Sequence, residues 1–278
     1  MEITVLVDNN VLYEPYFLAE AGLSFFIQDS EITVLFDTGY SDIFIKNALK
    51  LRKCLTNLDY LVLSHNHLDH TWGLEPLIRY FTELEGEQQQ FKRPTLVAHP
   101  EVFVSVSGEG FTEIGSLLSE KKLSKHFSLR LGAKPQNLSS RLIFLGEIPR
   151  RNNFEAHVTL GRKDGASKDD QIIDDSALVY KSPRGLIIIT GCSHAGICNI
   201  IEYAKEVCGD QRVVDVIGGF HLRNPTAHQL EGTLAYLRDL NPETVHACHC
   251  TDLASKIALS KVVSLKEVGV GLSIKYDD

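Results

Sequence analysis

The sequence predicts an α/β protein of four layers, αββα, folded as a single domain over residues 1–278. Two observations carry this expectation. The chain reads as two similar halves, each running from short β-branched strands into amphipathic helices, with no linker or internal repeat between them. In both halves the strand runs end in loops rich in histidine, aspartate and glycine, at the strand ends where α/β folds place their sites.

In order, 2–8, 23–28 and 31–37 read as three strands, the last two joined by a tight turn at Asp29-Ser30. The third ends in Phe36-Asp37-Thr38-Gly39, and Ser41 or Asp42 then caps a helix reaching Leu49. Residues 59–63 form a short apolar run that reads as a buried strand, followed at once by Ser64-His65-Asn66-His67-Leu68-Asp69-His70. A helix is expected over 72–81, a solvated loop rich in Glu and Gln over 83–93, and a strand over 94–99 that ends in a loop histidine, His99. Residues 105–126 hold Gly108-Glu109-Gly110 and an amphipathic stretch, 114–123, and read as an insertion over the site. With the polar segment that follows later, lid insertions fall around 83–135 and 149–175, both too long for plain connections.

The second half repeats the scheme. Residues 177–181 and 185–190 read as paired strands about Ser182-Pro183-Arg184. The latter runs into Gly191-Cys192-Ser193-His194-Ala195-Gly196 and a helix over 197–207. A strand over 212–217 ends in Gly218-Gly219-Phe220-His221 and precedes a helix over 226–240. The strand 244–248 ends in His249-Cys250-Thr251, before a last helix. Three consecutive strand ends thus each deliver a histidine, with glycines nearby that let the backbone approach a ligand.

Composition narrows the function. An apolar fraction of 44% is ordinary for a globular protein of this length. No apolar run approaches the roughly 18–20 residues of a membrane span, and 1–8 lacks the basic region and cleavage site of a signal peptide. Six cysteines without disulfide-like spacing suggest a reducing cytoplasm. A net charge of −8 argues against nucleic acid as partner, since that would need a basic face. The expected partner is a small-molecule substrate, phosphorylated in one reading; the oligomeric state is not legible.

The chemistry lies in the histidines. In an extended segment residues two apart share a side, so His65 and His67 converge on one cation. The chain then bends, and Asp69 and His70 face a second cation beside the first. Neutral imidazole and carboxylate suit Zn²⁺, with Mn²⁺ or Fe²⁺ as alternatives. Added to His194, His221 and His249, the loop predicts two divalent transition-metal ions. His246 reads as structural, and His126 and His228 as surface residues. Trp72, Phe103, Phe111 and Phe220 are the aromatic candidates for a pocket wall, and Arg150, Arg151 and Arg223 the cations that would hold a phosphate.

His65-x-His67-x-Asp69-His70 after a hydrophobic strand resembles the signature of the metallo-β-lactamase-fold metallohydrolases. The segments 190–196, 218–222 and His249-Cys250-Thr251 resemble one branch of it. That branch comprises hypothetical metal-dependent hydrolases related to the archaeal dihydropterin–ribofuranosylaminobenzene phosphate synthase. The resemblance implies the αββα sandwich, a first metal on His65, His67 and a third imidazole, and a second on Asp69, His70 and His249. It also implies that Asp37 supports the metal loop by hydrogen bonds. Relatives place the third imidazole before the paired strands, where this chain offers only aspartates. His194 is therefore the choice here, His221 second, and His157 too far upstream. Cys192 stands where relatives carry a bridging Asp or, in some β-lactamases, a Cys; Cys248 and Cys250 are not required as ligands. Trp72-Gly73 replaces the usual Gly-Gly. The implied activity is hydrolysis of an ester or phosphoester of a small molecule by hydroxide formed at the metal pair, with Asp69 and His221 catalytic. The alternative is a transferase condensing a dihydropterin pyrophosphate with an arylamine ribosyl phosphate. A redox diiron role is disfavoured, because flavodiiron relatives carry an acidic residue where His67 stands.

Overall fold

Apolar residues alternate along the strands, and the alternation sorts them into three layers of core. Phe25, Ile27, Val34, Phe36, Val62 and Val97 of the first half meet Leu178, Tyr180, Ile187, Ile189 and Ile217 of the second, between two sheets. Their neighbours Phe26, Leu35, Leu61, Leu63, Leu96 and Ala98 face the other way, under helices of the first half. Val179, Leu186, Ile188, Val213 and Val216 do the same under helices of the second. The result is the expected four-layer αββα sandwich, in a computed structural model that describes residues 1–14 and 16–277.

The first half lays down β1 (Glu2–Val7), β2 (Ser24–Gln28), β3 (Thr33–Phe36), α1 (Ile43–Lys50), β4 (Tyr60–Val62), α2 (Leu68–Thr71), α3 (Leu74–Gly86) and β5 (Thr95–Ala98). A stretch with little regular structure follows, carrying β6 (Val106–Ser107), α4 (Glu120–Leu123), β7 (Ser128–Leu131) and β8 (Gln136–Asn137). The second half opens with β9 (Leu142–Phe144), β10 (Arg162–Lys163), β11 (Ala177–Ser182), β12 (Gly185–Thr190) and α5 (Ile197–Cys208). It ends with β13 (Val213–Gly219), α6 (Ala227–Leu240), β14 (Thr244–Cys248), α7 (Leu253–Leu259) and β15 (Ser273–Lys275).

One sheet has the order β15-β1-β2-β3-β4-β5-β7 and the other β14-β13-β12-β11-β9-β8. Each has an antiparallel part and a parallel part. β3, β4 and β5 run parallel, as do β12, β13 and β14, so their carboxyl ends emerge along one edge of each sheet. Register fixes what meets there: Phe36 lies beside Val62, and Gly219 beside Cys248. β6 and β10 pair with each other outside both sheets and join the two insertions.

Two local expectations need correction. α3 continues to Gly86, taking in residues assigned to a solvated loop, because its buried stripe of Leu74, Leu77 and Phe81 extends to Leu84. Of 114–123 only Glu120–Leu123 is helical. The backbone of Ile114 is spent elsewhere, its N–H donating to Val106 O at 2.8 Å and its carbonyl accepting from Leu68 N at 2.8 Å. Among the described residues no helix is long and apolar enough to cross a membrane.

Candidate metal centre

The site forms where strand ends of both sheets meet. Asp37, Ser193, His221 and His249 all have positive φ, at 57°, 62°, 49° and 50°. For residues other than glycine this left-handed kink costs roughly 1–2 kcal/mol each, and it turns the chain sharply as it leaves the strand. Gly191 lets the halves touch: a Cβ there would lie 2.2 Å from Ser64 Oγ and 3.2 Å from Asp37 Oδ2.

Asp37, fully buried, organises the loop after β4. Its Oδ1 accepts from Ser64 N at 2.7 Å. Its Oδ2 accepts from Ser64 Oγ and from His70 Nδ1, each at 2.7 Å. Because the Ser64 hydroxyl donates to Asp37, it can only accept from His65 Nδ1, 2.9 Å away. At the end of β1, Asn9 Oδ1 accepts from His249 Nδ1 at 2.9 Å and Asp8 Oδ1 from His249 N at 2.9 Å. In their neutral forms His65, His70 and His249 are thereby held as the tautomer that turns an Nε2 lone pair inward.

Two trios of ligand-type atoms result. A ring nitrogen from each of His65, His67 and His194 lies within 4.8 Å of the others, and Asp69, His70 and His249 form a second trio on the same measure. Nε2 of His65, His67 and His194 is buried and has no hydrogen-bond partner. Burial, joined by the neighbouring imidazoles, drives the pKa of His65 and His194 well below the ordinary value. Burial likewise lowers that of His67 to about 4, so all three are neutral at pH 7. Three buried, unpartnered imidazole nitrogens gathered this closely suit a cation.

In the second trio His70 Nε2 is 3.2 Å from His249 Nε2, and Asp69 Oδ2 is 3.3 Å from the latter. Burial opposes ionisation of Asp69, but His70 and His249 hold it below the usual carboxylate range. Burial also opposes a proton on His249, yet Asp69 and the Cys250 sulfur raise its pKa to about 9. A positive charge is wanted at this point as well. Cys192 Sγ is 3.2 Å from His70 Nε2 and joins one group with His65 and His70 and another with His249 and Cys250.

The aspartates before the paired strands hold loops. Asp174 Oδ2 accepts from Asn66 N at 2.8 Å, and its Oδ1 from Lys163 Nζ at 3.2 Å. Asp175 Oδ2 accepts from Ala195 N at 2.9 Å, next to His194. His157 is exposed and bonds Asn153 O, away from the centre. His246 bonds the buried Asp215, and His99 Nδ1 accepts from Glu101 N.

A cleft of about 1310 Å³ opens over the centre, and the two insertions contribute Ser107, Phe111, Leu160 and Arg162 to its walls. Of the arginines considered, Arg223 lines it. Arg150 is committed to the carbonyls of Gln171 and Ile172, and Arg151 to Glu206 on the surface. Of the four aromatic candidates named from the sequence, Phe111 lines it. Phe103 and Phe220 are core residues. Trp72 donates to Gly115 O at 2.8 Å and stacks behind Tyr40, which is the second aromatic of the cleft. Sequence reasoning missed Asp8, Asn9 and Tyr40, and set Cys250 aside as not required. An Asp-Asn pair closing the first strand was the one signal for the first two.

The family model described as Metallo-beta-lactamase superfamily matches residues 19–94, which include the whole loop after β4. The chain is 30% identical over 261 residues to the uncharacterized protein MJ0448 of Methanocaldococcus jannaschii, covering 94% of each. It is 30% identical over 268 residues to that organism's 7,8-dihydropterin-6-methyl-4-(beta-D-ribofuranosyl)-aminobenzene-5'-phosphate synthase, covering 90% of this chain and 87% of that protein. Among solved structures, Tm1679, a metal-dependent hydrolase of the β-lactamase superfamily, superposes with a TM-score of 0.82 at 27% identity over 100% of both chains. A diphosphatase of the PhnP family shares the fold, with a TM-score of 0.54 at 16% identity over 99% and 98%.

Proposed function

We propose that this chain, which belongs to the metallo-β-lactamase superfamily, is an enzyme that hydrolyses an ester or phosphoester bond of a small molecule with two divalent transition-metal ions. The observation carrying this reading is the trio of buried, unpartnered Nε2 atoms of His65, His67 and His194. These three would hold one ion, and Asp69, His70 and His249 the other, with Cys192 between. Imidazole, carboxylate and thiolate together suit Zn²⁺, with Mn²⁺ or Fe²⁺ as alternatives. When bound, such ions supply Lewis acidity toward water and toward the scissile group.

The remaining work falls to side chains. Asp69 faces the cleft as a carboxylate, the form that can accept the proton of the attacking water. His221 also lines the cleft, its ring 4.2 Å from that of His194 and its Nδ1 unpartnered, and it carries a proton to the leaving oxygen. The insertions, joined by β6 and β10, act as a lid that limits bulk water.

A second reading, transfer of a dihydropterin group to an arylamine, draws on the 30% identity to the archaeal synthase. The cleft volume of about 1310 Å³ also favours it, since single-ligand pockets run to about 300–1,000 Å³. Against it, the walls offer a flat heterocycle only Tyr40 and Phe111 among the aromatics considered. The test is to incubate metal-loaded protein with phosphodiesters, lactones and thioesters, and separately with dihydropterin pyrophosphate and an arylamine ribosyl phosphate. Ester turnover that vanishes in Asp69→Ala supports hydrolysis. Condensation without appreciable hydrolysis overturns it.

A further inference from the structure

We propose that Cys250 is a thiolate ligand of the second ion, beside Cys192, so that this position takes two sulfurs and two imidazoles; the proposal rests on the two-ion reading above and refines it. In an extended strand, neighbouring side chains point to opposite faces, which would send Cys250 away from whatever His249 meets. The kink at His249, φ 50°, breaks that alternation. Cys250 Sγ, Cys192 Sγ and a His249 ring nitrogen therefore lie within 4.8 Å of one another.

Two further features act on this sulfur. The main-chain N–H of His221 donates to Cys250 Sγ at 3.2 Å, the kind of outer contact that supports a ligating thiolate. Gly219 leaves the space it occupies, since a Cβ there would lie 2.6 Å from Cys250 Sγ and 2.7 Å from Gly191 O. His70 Nε2 lies 3.2 Å from Cys192 Sγ and 3.2 Å from His249 Nε2, and so offers a fourth donor beside them. His70, His249, Cys192 and Cys250 make the four donors Zn²⁺ prefers, with sulfur as its softest ligand. Asp69 is then released from the ion and left as proton acceptor, which is the role the hydrolytic reading needs.

The probe is Co²⁺, added to the metal-free full-length protein, with folding checked by circular dichroism. Wild type is expected to show a near-ultraviolet thiolate-to-cobalt band, about halved in Cys250→Ser and in Cys192→Ser and absent in the double variant. Cys250→Ser should weaken the second Zn²⁺ equivalent at least about tenfold, whereas Asp69→Asn should retain it. X-ray absorption of the wild-type zinc protein needs no variant and should show a Zn–S shell at about 2.3 Å. An undiminished band in Cys250→Ser overturns the assignment, as does loss of the second equivalent in Asp69→Asn. Failure to bind any Co²⁺ or Zn²⁺ would instead sink the two-ion reading itself.

Discussion

Replacing Asp37 by Asn tests how the centre is built. Asn tolerates the positive φ at this position and keeps the side chain's shape. It turns two acceptor oxygens into one acceptor and one NH₂. With its oxygen on Ser64 N, its NH₂ faces Ser64 Oγ and His70 Nδ1, both 2.7 Å from the original oxygen. His70 Nδ1 must then accept, which moves its proton to Nε2 and removes the lone pair aimed at the second trio. Ser64 Oγ, now accepting, donates instead to His65 Nδ1 at 2.9 Å and reverses that tautomer too. One substitution thus disturbs an imidazole in each trio. Outer partners of this kind are worth about 10–100-fold in metal affinity, or about 1.4–2.7 kcal/mol per ion. Stability of the metal-free protein should fall by only about 1–2 kcal/mol, since the hydrogen bonds are weakened rather than deleted. Chelator-competition titration with Zn²⁺ gives the affinities, and urea unfolding gives the stability. Both equivalents within twofold of wild type, in a folded variant, would refute this account of the loop.

Three other outcomes are expected. His194→Ala should lose the first metal equivalent while His157→Ala, exposed and distant, keeps both, as read by elemental analysis after reconstitution. Gly191→Ala, whose Cβ would lie 2.6 Å from Ser64 Cβ, should cost about 1–3 kcal/mol or more; a melting temperature within a degree of wild type would contradict the close approach. Glu155 accepts from Cys198 N and Asn199 N at the start of α5, and burial raises its pKa above the ordinary value of 4.5. The native state therefore binds its proton more tightly than the unfolded chain. Its contribution to stability is full below that ordinary value and declines as pH rises through the raised one, a slope that Glu155→Gln should lack. Parallel urea midpoints for the two proteins across that range would refute it.

The sandwich was legible because period-two strands and their order needed only local pattern. The loop 64–70 was legible for the same reason, its candidate ligands being packed into seven residues. The rest depended on contacts that no local window contains. β15 pairs with β1 across the whole chain, Ile3 beside Ile274. Asn9 orients His249, 240 residues away in sequence. The placing of Cys250 on the same side as His249 depends on a backbone kink that breaks the alternation on which strand reading relies. Phe220 and Phe103 illustrate the opposite error, aromatics near strand ends that the core absorbs. Arg150 is tied up by carbonyls of a segment whose course composition does not reveal.

Each trio draws on both halves of the molecule: His65 and His67 with His194, Asp69 and His70 with His249. Under the two-ion reading, the first half of the molecule carries two incomplete sets of candidate ligands. Neither set would close before the second half has emerged, and the second would wait for His249, just past β14. Capture of metal would on that reading be a late checkpoint of biosynthesis. A chain cut short before β14 would have no complete second site, and an ion bound across the seam fastens one half to the other.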